Sequence, residues 1–196
     1  MVFFFVRDHR RRFRFFSAEP LGPLPENFPR TRAIWEKAKK KVTGLDPRTL
    51  LQEQAFTHGG RPGAGPLRVL YAGGDDGRSA QARFRFFLRR MKTRHFFILA
   101  GEALLVPVTG LAALLPGPNL AFYVLAMIMI IQWQALRGID RILAKDHEFV
   151  ADPLLAEWEA AVEARDEARF PELLDRIEKT HALPAPRKLL WKGSNL

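Results

Sequence analysis

Between His95 and Leu136 the chain runs for 42 residues with one formal charge, Glu102. Elsewhere about one residue in three is charged. Residues 1–94 carry 21 Lys and Arg against 8 Asp and Glu, and residues 137–196 carry 10 against 12. A helix needs ~20 apolar residues to cross a ~30 Å hydrocarbon core, with ~17 as the lower limit. Pro116, Gly117, Pro118 and Asn119 divide the run into residues 96–115 and 120–136, twenty and seventeen long. The two prolines lack N–H donors and the glycine is permissive, so neither helix continues through the turn, while Asn119 can cap the second. Soluble core helices carry a polar stripe, and Leu120–Ile131 has none. The expectation is a mainly α membrane protein built on a two-helix transmembrane hairpin.

The flanks orient that hairpin. Arg83, Arg85, Arg89, Arg90, Lys92 and Arg94 precede the first segment with no acid among them, and the turn is uncharged. The bias of Lys and Arg places both termini on the cytoplasmic side, or on the matrix side of a mitochondrial inner membrane. The six basic residues are candidate contacts for anionic headgroups, each worth ~1 kcal/mol near the surface. Without an evident presequence, a bacterial cytoplasmic membrane is the expected location, with the mitochondrial inner membrane as the alternative.

Four regions follow from this layout. Residues 1–78 read as a basic cytoplasmic α/β region. Within it, Val2–Val6 and Arg12–Phe16 suggest a β-hairpin around a charged turn, and Ser17–Arg30, with four prolines, a loop. Helices are expected over residues 31–42 and from Asp46-Pro47 to Phe56, with a further strand over Leu67–Ala72. Residues 79–94 read as a basic juxtamembrane helix, 95–143 as the hairpin, and 144–196 as a cytoplasmic tail with amphipathic helices at 152–168 and 170–181.

Little here suggests catalysis. The chain has no cysteine, which excludes disulfides and thiolate chemistry. Glu102, inside the first apolar segment, and His95, at its start, are candidate ion- or proton-handling residues, because a carboxylate in hydrocarbon is costly and often marks a proton path. Asp140, His147 and Glu148 lack a third convergent metal ligand, and no phosphate loop or nucleophile elbow is present. No enzyme, metal or cofactor is expected. Arginines interleaved with phenylalanines also suit nucleic acid, but beside a membrane segment lipid phosphates are the closer target.

Arg89–His95, Pro116–Asn119, Phe122-Tyr123, Gln134-Ala135-Leu136 and Gly138 together resemble the mitochondrial potassium–proton exchange-related family, which has bacterial members. RRFRFFSAEP and IWEKAKKKV are similar to that family's N-terminal basic-aromatic run and its Trp-containing basic helix. The resemblance implies an integral membrane protein associated with cation homeostasis. Two spans cannot enclose a polar path, so exchange would require a homo-oligomer or a membrane protein partner. The alternative is a non-catalytic anchor whose basic surface binds anionic lipid or another protein.

Overall fold

Val2–Arg7 is apolar at five successive positions. Alternate side chains of a strand point to opposite faces, so a strand of this composition needs cover on both sides. The computed structural model describes residues 2–17, 47–59, 66–74, 76–112, 120–183 and 186–191, and it supplies that cover. β1 (Val2–Arg7) pairs antiparallel with β2 (Phe13–Ser17) and parallel with β3 (Leu67–Ala72), which pairs parallel with β4 (His147–Asp152). The mixed sheet has the order β2-β1-β3-β4.

Phe3 and Phe5 face one layer, where α1 (Pro47–Gly59), α2 (Gly77–Ala112) and α3 (Leu120–Leu143) contribute Phe56, Phe84, Leu88, Ile139 and Ile142. Phe4 and Val6 face the other, where α4 (Pro153–Ala164), α5 (Phe170–His181) and α6 (Pro186–Leu190) contribute Leu155, Trp158, Leu174 and Leu190. Each fully buried phenylalanine adds roughly 1.5–3 kcal/mol. Rings also pair diagonally across the hairpin, Phe3 on Phe15 at 4.9 Å and Phe5 on Phe13 at 4.7 Å, both stacked.

Strand β4 passes directly into α4. Asp152 caps that helix by accepting from Leu154 N and Leu155 N, each at 2.9 Å, and Pro153 occupies the first turn, where no N–H is missed. Trp158 then donates its indole N–H to Arg7 O at 2.8 Å, fixing α4 across the carboxyl end of β1.

The expected transmembrane hairpin over 96–115 and 120–136 is overturned. Among the described residues, no helix is long and apolar enough to cross a membrane. Helix α2 starts at Gly77 and binds the sheet through Ala80, Phe84, Phe87 and Leu88; α3 continues to Leu143 and buries Ile139 and Ile142 beside it. The uncharged run therefore mixes core positions such as Ile131, Ala135 and Leu136 with exposed ones such as Leu104. Charge counting along the chain does not separate the two. The class is accordingly a mixed four-stranded sheet with helices on both faces, in place of the expected two-helix transmembrane hairpin. The Pro116–Asn119 turn and the helix expected over 31–42 lie outside the described residues.

Candidate functional site

Helix α2 enters the domain at the carboxyl edge of the parallel strands, four residues beyond β3, and α3 returns to their amino edge just before β4. Between these ends the two helices pack on each other, and each carries exposed apolar side chains. The large apolar side chains exposed among the described residues, Phe86, Phe96, Phe97, Leu104, Leu105, Ile130 and Trp133, all belong to α2 and α3. At 3.6 residues per turn, Phe86, Phe97 and Leu104 fall within about 20° of one line. That line is opposite the face carrying Phe84, Leu88 and His95, which are buried. Leu104 is 78% exposed and Phe86 70%.

The exposed stripes of both helices differ along their length. On α2, Arg85, Arg89, Arg90, Lys92 and Arg94 are exposed nearer the sheet, with Phe86 among them, and the exposed apolar side chains from Phe96 to Leu105 lie beyond them. On α3, Ile130 and Trp133 precede Arg137 and Arg141, again with the cations nearer the sheet. Arg137 lies over the Trp133 ring at 4.9 Å, so the charge caps the aromatic at the border. Lys92 pairs with Asp140 at 2.6 Å across the two helices. Of the six predicted headgroup contacts, Arg83 differs: it is half-buried and lines a small cleft beside Phe5, Tyr71 and Glu159.

Of the two predicted proton-handling residues, His95 is buried, hydrogen-bonded through Nδ1 to Gln132 Oε1 and edge-on to Phe56. Burial pushes its pKa down, partly opposed by the Gln132 contact, with Arg94 adding to the depression. Glu102 is half-buried on the same face of α2, two turns further along, and burial raises its carboxyl pKa. Its Oε2 has no hydrogen-bond partner among the described residues. The two are seven residues apart, roughly 10 Å along the axis, and are not brought together. Gln132, across from this face on α3, is engaged by His95 and not by Glu102.

The residues weighed as metal ligands also separate: Asp140 pairs with Lys92, Glu148 with Arg68 at 3.9 Å, and His147 packs against Phe84 and Phe149. No group of three or more metal-ligating side chains occurs among the described residues. What sequence reasoning missed is the exposed half of α3, although Trp133 and Arg137 stand at the i, i+4 spacing that puts them on one face. Comparison with protein-family models, curated proteins and solved structures finds no match to this chain, so the likeness to the potassium–proton exchange-related family rests on the residues quoted for it.

Proposed function

We propose that this chain is a non-catalytic α/β module that docks on an anionic lipid surface through the uncovered flank of α2 and α3. The observation that carries the reading is the shared trend on the two antiparallel helices: exposed cations, with Phe86 among them, nearer the sheet, and exposed apolar side chains without cations farther out. Such a gradient suits a water–lipid boundary: the apolar residues enter the acyl region while the arginines remain at headgroup depth. From Arg94 to Leu105 is roughly 16 Å of helix, about half the ~30 Å hydrocarbon core, so the contact is with one leaflet. A second copy suits the flank less well, because two collars of like charge would face each other.

Flotation of the full chain with vesicles tests this. Partition is expected into phosphatidylcholine vesicles containing about one-third phosphatidylglycerol, and not into pure phosphatidylcholine. A double variant, Phe97→Ser with Leu104→Ser, alters only exposed positions and should lose most of the partition. Absence of partition into either vesicle, with a concentration-dependent dimer in its place, would assign the flank to protein contact.

An accessory role in potassium–proton exchange is the second reading, favoured by the half-buried Glu102 carboxylate with its unpartnered Oε2. It requires a partner membrane protein to provide the path. Replacing Glu102 with Gln should then lower potassium-driven proton flux in vesicles, and unchanged flux removes the reading.

A further inference from the structure

An open cleft of about 380 Å³ lies where the β1–β2 turn meets the end of α4, lined by Arg10, Arg11 and Arg165 over Val162 and Phe170, with Glu167 at one side. Its volume falls within the roughly 300–1,000 Å³ of small-molecule sites. It sits at the carboxyl end of β1, apart from the apolar flank of α2 and α3.

Two of the three arginines stand on backbone that favours glycine. Arg11 has φ 59° and Arg165 φ 56°, both left-handed, and Ala182 is the other non-glycine residue with positive φ among the described residues. Arg165 closes α4 as a left-handed cap, its N–H directed to Ala161 O and Val162 O, a position where glycine is the common choice. A strained residue persists where its surroundings over-determine it, and such residues gather at binding sites. Here two of the strained residues, Arg11 and Arg165, line one cleft.

The turn that presents Arg10 and Arg11 is rigid. Asp8 is fully buried, and its Oδ1 accepts from Arg10 N at 2.9 Å and Arg12 N at 3.0 Å, while Arg14 Nε donates to Oδ2 at 2.9 Å. His9 N donates to Leu190 O at 2.9 Å, tying the turn to α6. Arg11 Nη2 donates to Glu163 O at 3.0 Å, which leaves the rest of its fork unused by that bond. Among the described residues, the side chains of Arg10 and Arg165 make no hydrogen bond or ion pair, and both are exposed. Three guanidinium groups around one cleft, Arg11 held by its bond to Glu163 O, match the oxygens of a phosphate better than those of a carboxylate, which presents only two. Glu167, a carboxylate in the same lining, can accept hydrogen bonds, which suits a ligand bearing hydroxyl groups beside its phosphate.

We propose that this cleft binds a small phosphate monoester bearing hydroxyl groups, the phosphate held by Arg10, Arg11 and Arg165 and a hydroxyl by Glu167. A phosphate monoester is also the headgroup of phosphatidic acid, so the test separates the two sources. The full chain is titrated calorimetrically with ribose 5-phosphate and with ribose, and floated with vesicles containing phosphatidic acid. Saturable binding of ribose 5-phosphate but not ribose is expected. Arg165→Gly should weaken that binding roughly ten- to hundredfold, the worth of a charge-assisted bond, while holding or raising the melting temperature because glycine relieves the left-handed strain. Arg10→Gln should weaken it similarly from an unstrained position. The proposal is overturned if ribose 5-phosphate does not bind up to about 10 mM, or if Arg165→Gly leaves its affinity unchanged. Arg165-dependent binding to phosphatidic acid alone would equally overturn the soluble ligand.

Discussion

Gly138 on α3 and Phe56 on α1 meet backbone to backbone: a Cβ at position 138 would stand 2.7 Å from the Phe56 carbonyl carbon and 3.1 Å from Thr57 Cα. No rotamer change relieves a clash with main chain, so the helices must part. Alanine would recover up to about 1 kcal/mol of helix propensity, but overpacking at a buried contact costs about 1–3 kcal/mol, and here the obstacle cannot yield. Gly138→Ala is therefore expected to lower the urea midpoint, and an unchanged midpoint would mean that α1 and α3 lie farther apart.

Asp8 should be the most sensitive polar residue of the N-terminal hairpin. Asp8→Ala strands Arg10 N and Arg12 N and leaves the mostly buried Arg14 guanidinium without its carboxylate. Losing one partner of a buried pair costs about 3–5 kcal/mol. Asp8→Asn keeps an oxygen for the two main-chain donors and should lose less. Chemical denaturation ranks the two variants, and equal losses would show that the charge on Arg14 dominates.

Folding stability should fall on mild acidification. The unfolded chain protonates histidine near the usual value of about 6.5, while His95 in the folded chain resists protonation because it is buried. The unfolded state then binds more protons, so stability is level above that value and declines as pH falls below it towards the depressed folded pKa. His147 adds in the same direction, depressed by burial and by Arg85. In thermal melts from about pH 7.5 to 5.5, His95→Gln should flatten the decline, and an unchanged slope would place the effect on His147.

The hairpin of β1 and β2 and the strand Leu67–Ala72 were legible because aromatic and β-branched runs bounded by turn residues have few other uses. Strand β4, HEFVAD, was not: it is an edge strand with acids at Glu148 and Asp152 and only partial burial, so its alternation reads as solvated chain. The long apolar run misled because Ile131, Ala135 and Leu136 serve a protein core while Phe97 and Leu104 are exposed, and hydropathy is the same for both. The arginine cleft left no mark either. Glycine at 11 or 165 would have announced a turn or a helix end, whereas arginine there reads as one more surface charge.

If the flank of α2 and α3 meets lipid as proposed, its two zones should respond differently to salt. Charges at a surface act over a Debye length of about 8 Å at physiological ionic strength, so the collar's share of the binding is screened. Arg89→Gln with Arg94→Gln removes two exposed cations, each worth ~1 kcal/mol, and should lower partition into anionic vesicles by roughly thirtyfold and flatten its salt dependence. Phe97→Ser with Leu104→Ser removes exposed apolar surface, and should lower partition while leaving the salt slope as it was. Flotation across a salt series measures both. Were the two pairs to shift affinity and slope alike, the cations and the rings would not lie at different depths, and the gradient along these helices would have some origin other than lipid.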